Sequence, residues 1–239
     1  MLYWSRLAIL LPLVMIFGFF GFLLSLISPF NPKVMMLISR IIGWLTFKIF
    51  NIDIEIRGKE NIEKNLPCIF ISNHQSNLDI VIGGLVAPWK TVSLGKKEIR
   101  RIPIYGMFYW LSGNILIDRS KKLEAATILD HDVKKALQKG ISVWILPEGT
   151  RSYNRGLLPF KRGAFRTVIN AQVPLVPLVL SPQHSTLNFN KWKSGKVIVE
   201  IIDAIDTRNL SLENDRELTK KAHQLFEERL PILEKELLS

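Results

Sequence analysis

The sequence predicts an α/β protein: a mixed, largely parallel sheet flanked by helices, preceded by an N-terminal membrane-associated helical segment. Three observations lead there. Beyond residue 50, short strand-like apolar runs alternate with helical stretches. No charged residue occurs between Arg6 and Lys33. No internal repeat or low-complexity linker breaks the remainder. The 239 residues suffice for one sizeable domain and an accessory segment. The expected division is 1–50 for the membrane-associated helices and 51–239 for the α/β domain.

Residues 7–28 are densely apolar. As a helix they extend about 33 Å, against roughly 30 Å of bilayer hydrocarbon. A cleaved signal peptide competes with that reading, but the run is long and no small-x-small cleavage site follows it. Residues 34–50 form a second apolar stretch carrying only Arg40 and Lys48, with Lys33 just before it. Pro29 and Pro32 mark the break between the two helices. Lys33 and Arg40 share a helical face, and Leu37, Ile38, Ile41, Trp44 and Leu45 make a broad apolar surface. Such a helix either lies in the membrane interface with its cations among the headgroups, or packs in the core. Lys33, Arg40 and Lys48 outnumber Arg6, which places the following domain on the cytoplasmic side.

Strands are expected at 52–56, 68–71, 91–94, 115–117, 143–146, 175–180 and 197–202. Residues 122–139 read as a helix, with Ala126, Leu129, Val133 and Leu137 on one stripe and Gly140 as the stop. A short helix is expected at 163–171. A longer amphipathic one is expected at 211–238, kinked or broken at Pro231.

The net charge of +11, from 32 Lys and Arg against 21 Asp and Glu, suits an anionic partner. The basic residues cluster at strand ends beside acids and no nucleic-acid motif is present, which argues against nucleic acid. Cys68 is the sole cysteine, so an intramolecular disulfide and a cysteine zinc site are both excluded. Its place in an apolar strand favours a buried structural role.

Ligands of such sheets collect at the carboxyl ends of strands. Asn73-His74-Gln75-Ser76-Asn77-Leu78-Asp79 occupies one strand-to-helix junction. One reading is capping: Asn73, Ser76 and Asn77 all cap helices well, and Asp79 suits an early turn. The other is a base, with one His74 nitrogen toward substrate and the other held by Asp79. Spacing alone leaves both open. Pro147-Glu148-Gly149-Thr150-Arg151-Ser152 ends a second strand, where glycine permits close approach and Arg151 offers a planar fork for phosphate. The run 113–119 puts Asp118 and Arg119 at a third strand end. The cluster Lys96, Lys97, Arg100 and Arg101 follows a fourth.

His74-x4-Asp79, Glu148-Gly149-Thr150-Arg151, Gly113 to Arg119, and Val173-Pro174-Leu175-Val176-Pro177 occur in the order seen in the glycerolipid acyltransferase superfamily. Gly95-Lys96-Lys97-Glu98 with Pro103 and Gly106 resembles that family's lysine-bearing segment. The likeness covers roughly residues 30–205 and is to bacterial members.

That resemblance implies transfer of a fatty acyl group from a thioester to the free hydroxyl of lysophosphatidic acid, giving phosphatidic acid. It implies His74 as general base and Asp79 as its orienter. Arg151 ranks first for the phosphate, followed by Arg119 and Lys97. Glu148 is expected at the glycerol portion or beside Arg151, with Gly149 and Thr150 also at the substrate. Backbone N–H groups near Gly149, or in a turn carrying Val176 and Pro177, are expected to serve the oxyanion. No cofactor is expected to be permanently bound; acyl-CoA or acyl carrier protein serves as donor substrate. The partners implied are lysophosphatidic acid and the bilayer, at a bacterial inner membrane. Tyr105, Phe108, Tyr109 and Trp110 are candidate walls for an acyl groove. The competing readings are an acyltransferase for another lysophospholipid or for glycerol-3-phosphate, a membrane-bound lipid esterase, and a basic protein that binds anionic lipid without catalysis.

Overall fold

The computed structural model describes residues 1–118 and 122–239. Two helices come first, α1 (Leu2–Ile27) and α2 (Pro32–Phe50). Pro32 opens α2 without losing a hydrogen bond, because a first-turn N–H has no helical acceptor, and the Asn31 side chain accepts the N–H of Lys33.

Alternation then begins. In chain order come β1 (Ile52–Arg57), α3 (Glu60–Glu63), β2 (Ile69–Ser72), α4 (Leu78–Val86) and β3 (Thr91–Lys96). A 3₁₀ turn (Lys97–Arg101), α5 (Tyr105–Leu111), β4 (Ile115–Ile117), α6 (Lys122–Gln138) and β5 (Ser142–Ile145) follow. The chain closes with α7 (Arg162–Ala171), β6 (Leu175–Leu180), β7 (Gly195–Ile201) and α8 (Asp215–Leu238).

Among the described residues seven strands form one sheet in the order β1-β7-β6-β2-β5-β3-β4. Every neighbouring pair is parallel except β6 with β7. The expected mixed, largely parallel sheet is therefore present. Strands β2 and β6 read as continuous apolar runs because both of their faces are covered. On one face β2, β5 and β6 pack with Val133, Phe165, Leu218 and Phe226 from α6, α7 and α8. On the other, Leu10, Phe47, Phe50 and Ile82 bring α1, α2 and α4 onto β1, β6 and β7.

Two expectations about helices need correction. The final helix starts at Asp215, after a separate 3₁₀ turn at Leu212–Asn214, and it runs unbroken through Pro231. Phe226 and Leu233 are both fully buried in the core on either side of the proline. Packing on both flanks thus holds the helix where its sequence favours a break. Arg40 does not reach outward from α2 either. Its guanidinium stacks 3.8 Å from the Trp89 ring centroid and donates to the Ala87 carbonyl.

Among the described residues, α1 alone is long and apolar enough to cross a membrane, with a mean hydropathy of 2.7 over its most apolar window. Its buried residues Arg6, Leu10, Gly21 and Ser25 make one narrow stripe. Near its start, Arg6 donates to the carbonyls of Phe189, Lys191 and Trp192 and to Ser194 Oγ. Near its end, Ser25 Oγ meets Ser112 Oγ at 3.3 Å. Gly21 presses on Phe108, where a Cβ would stand 2.7 Å from the ring. Both ends of α1 therefore dock on the α/β body.

Candidate active site

The carboxyl ends of β6, β2, β5, β3 and β4 lie side by side on one edge of the sheet. Adjacent strands are about 4.8 Å apart, so residues two strands apart sit roughly 10 Å from one another. His74 follows β2, Glu148 follows β5, Lys97 follows β3, Asp118 follows β4 and Gln183 follows β6. Parallel pairing thus gathers residues separated by more than a hundred positions.

His74 and Asp79 converge. The imidazole Nδ1 lies 2.8 Å from Asp79 Oδ2, with His74 8% and Asp79 1% exposed. His74 precedes α4 and Asp79 sits in its first turn, so the carboxylate turns back to meet the ring. The same Oδ2 accepts the backbone N–H groups of Gln75 at 2.6 Å and Ser76 at 2.9 Å. Oδ1 accepts from Gln183 Nε2 at 2.6 Å. All four contacts use the carboxylate as an acceptor, which fixes its position and hence the ring it holds.

Capping accounts for part of the same stretch. Ser76 Oγ accepts the N–H of Leu78, while the Asn77 side chain makes no cap bond. Asn73 is committed elsewhere: its amide donates to the Leu180 carbonyl and accepts the Leu180 N–H. Gln75 Nε2 donates to the carbonyls of Leu180 and Ser181. The β2–α4 junction is therefore sewn to the end of β6.

Glu148 ties in the second junction. Its Oε1 accepts the backbone N–H of His74 and its Oε2 that of Leu158. Burial pushes this carboxyl up to about 7, against the pull of those two N–H groups; the nearby Asp79 raises it further and Arg155 lowers it. Ser152 N–H to His74 O at 2.8 Å, and Tyr153 N–H to Gln75 O at 3.2 Å, close the two junctions along their length.

Gly149 has φ +70°, and its N–H closes a turn on the Leu146 carbonyl. Lys161 lies across it: a Cβ on Gly149 would stand 2.6 Å from Nζ. Thr150 is exposed and Arg151 half-buried on the same loop. Arg151 Nη1 meets Tyr153 OH at 3.2 Å, while its buried Nε has no partner among the described residues. Lys97 Nζ stands 3.4 Å from Asp118 Oδ2 and is largely exposed. Arg119, expected beside them, lies outside the described residues.

Two expectations do not match these positions. Val176 and Pro177 lie inside β6, paired with Phe70 and Ile71 and fully covered, so no oxyanion turn exists there. Phe108 and Tyr109 are buried; Phe108 abuts Gly21, and the Tyr109 hydroxyl meets Ser93. They are packing residues on α5. Cys68, by contrast, is fully buried as its apolar strand predicts, and burial pushes its thiol up to about 12, which leaves it no nucleophilic role.

Reading along the chain missed Gln183 and Lys161. Gln183 carries no motif, and only the return of β6 beside β2 brings it to Asp79. Lys161 sits in a basic patch indistinguishable by composition from a solvated one.

The family model described as "Acyltransferase" matches residues 53–181. A 1-acyl-sn-glycerol-3-phosphate acyltransferase of Haemophilus influenzae is 38% identical over 91% of this chain and 90% of its own length. One from Escherichia coli is 37% identical over 99% of this chain and 96% of its own. The crystal structure of the 1-acyl-sn-glycerophosphate acyltransferase from Thermotoga maritima superposes with a TM-score of 0.76 at 21% identity, covering 97% of this chain and 95% of that one. At that identity the last likeness concerns the fold.

Proposed function

This chain belongs to the acyltransferase family, and from that premise we propose that it acylates the free hydroxyl of 1-acyl-glycerol-3-phosphate, forming phosphatidic acid for phospholipid biosynthesis. The observation that carries the mechanism is the clamp on His74. With Nδ1 held by Asp79, Nε2 is the nitrogen that faces an acceptor hydroxyl.

In the reaction, Nε2 takes the hydroxyl proton as that oxygen attacks the thioester carbonyl. A C–O bond forms, the C–S bond breaks, and the imidazolium returns its proton to the departing thiolate. Asp79 stabilises the imidazolium between these steps. A thioester is already activated, so no acyl-enzyme is required. The donor is acyl-CoA or acyl carrier protein, arriving as substrate, and no cofactor is permanently bound. Arg151, half-buried on the loop 148–152, takes the acceptor phosphate as a planar fork. Lys161 and Lys97 add charge to the same edge.

The substrate resides in a bilayer, and the placement of α1 suits that. The helix is about 39 Å long, yet both of its ends dock on one body. A helix crossing the hydrocarbon would drag one of those docking surfaces through it. We therefore place α1 in the plane of the cytoplasmic leaflet of a bacterial inner membrane, with its unburied apolar sides among the acyl chains.

The test uses purified protein with lysophosphatidic acid and an acyl thioester, alongside His74→Ala. Wild type yields phosphatidic acid, and the variant loses about 10²–10⁴-fold in kcat with its fold intact. Release of free fatty acid without phosphatidic acid would instead identify an esterase. Unimpaired turnover by His74→Ala would remove the base assignment.

A further inference from the structure

The β6–β7 connection reaches the catalytic pair through one side chain. Gln183 is 6% exposed, and each of its polar groups is engaged. Nε2 donates to Asp79 Oδ1 at 2.6 Å, Oε1 accepts from Ser76 Oγ at 2.6 Å, and its own N–H donates to Gln75 Oε1 at 2.9 Å. This amide is thus the sole hydrogen-bond partner of Asp79 Oδ1 among the described residues, whereas Oδ2 is shared by three donors. A carboxylate held only through Oδ2 keeps a rotation about its Cβ–Cγ bond; the Gln183 contact removes it.

The segment carrying Gln183 is itself restrained. Leu187 N–H donates to Gln183 O, and Ser181 Oγ accepts the N–H of Ile198. Further along, Arg6 of α1 clamps the carbonyls of Phe189, Lys191 and Trp192. Gln183 therefore meets Asp79 from a support fixed at both ends, as orientation of a reacting group to within a fraction of an ångström demands.

We infer that Gln183 is a positioning residue of the acyl transfer, acting through Asp79 to hold the His74 ring in line with the acceptor hydroxyl. The inference rests on the reading of His74 as base. Buried and with its polar groups engaged by Asp79, Ser76, Gln75 and Leu187, Gln183 has none left to offer a substrate, so its loss should lower kcat and leave KM for both substrates unchanged.

The titratable groups facing Asp79 are His74 on its own junction and Glu148 from the β5–α7 junction, with Arg155 beyond Glu148. Gln183 meets Asp79 from the β6–β7 side as a neutral donor. Two variants read its role. Gln183→Leu removes the amide and should lower kcat about 10- to 100-fold at unchanged KM. Gln183→Glu sets a carboxyl against Asp79 Oδ1. Protonated, it donates as the amide does; ionised, it repels. The kcat ratio of Gln183→Glu to wild type should therefore rise as pH is lowered from about 8 to about 5.5.

Both variants are compared with wild type and His74→Ala in the full-length protein, with melting temperature recorded for each. Wild-type kcat in Gln183→Leu overturns the inference. If that variant loses its fold, Gln183→Glu decides, and a pH-independent ratio overturns it. Activity in His74→Ala would instead bring down the reading beneath it, whereas an inactive His74→Ala beside an undisturbed Gln183→Glu refutes the positioning role alone.

Discussion

Glu148 accepts the backbone N–H of His74, so the acid of one strand-end motif holds the main chain of the base in another. The two carboxylates divide the work. Asp79 holds the ring, and Glu148 holds the peptide from which the ring springs. Asp79 takes its hydrogen bonds from His74, Gln75, Ser76 and Gln183, and Glu148 from two backbone N–H groups, so among the described residues neither carboxylate ties up an Arg or Lys side chain by a hydrogen bond.

Glu148 makes stability depend on pH. Its carboxyl ordinarily titrates at 4.5, and burial in the fold pushes it up to about 7. An acid raised on folding favours the neutral form, so its full contribution is present below about 4.5. It is lost as pH rises toward about 7, because the unfolded chain ionises first. In Glu148→Ala this dependence disappears. The melting-temperature advantage of wild type over Glu148→Ala should shrink between pH 4.5 and 7, by on the order of 5 °C. A gap that widens with pH would contradict the burial of this group.

Gly149→Ala should fail for two separable reasons. The φ of +70° costs a residue with a side chain about 1–2 kcal/mol, and the new Cβ displaces the Lys161 ammonium. The first lowers the melting temperature by roughly 2–8 °C. The second raises KM for the phosphorylated acceptor. Lys161→Ala isolates the second: acceptor KM rises while the melting temperature holds. Unchanged acceptor KM in Lys161→Ala removes Lys161 from the site.

Arg151→Ala should raise acceptor KM about 10- to 100-fold with kcat less affected, as expected for one charged hydrogen-bonding group lost from substrate binding. Arg151→Lys should recover little, because a point charge does not reproduce the fork. Steady-state kinetics with lysophosphatidic acid as the varied substrate reads both. Acceptor affinity untouched by either change would reassign the phosphate.

How far these features are legible along the chain depends on the range of the forces involved. Strands β4 and β6 appear at their expected bounds, because burial on both faces writes itself as a local apolar run. The convergence of His74 with Asp79 is also local, five residues across one turn. Gln183 is different: its role exists only because β6 lies beside β2. Pro231 shows the reverse case, a strong local signal overruled by Phe226 and Leu233. Arg40 likewise reads as a cation for headgroups until Trp89, 49 residues on, offers it a ring.

The in-plane placement proposed for α1 yields a prediction about sidedness. Arg6 at one end and Ser25 at the other both bond to the α/β body, so on the proposed placement both ends lie on the same side of the bilayer as that body. Cys68 is fully buried with its thiol pushed up to about 12, so it stays silent toward a maleimide in the native protein. Ser5→Cys and Ser28→Cys then report each end of α1 separately. A membrane-impermeant maleimide should label both in inside-out vesicles and neither in sealed right-side-out ones. Labelling of the two ends from opposite sides would show a transmembrane helix. That result would also require the Arg6 bonds to Phe189 and Trp192, or the Ser25 contact with Ser112, to break in the membrane. Replacing Arg6 by Leu should loosen the first of these docks: Ser5→Cys labelling in inside-out vesicles should quicken while that of Ser28→Cys stays as it was.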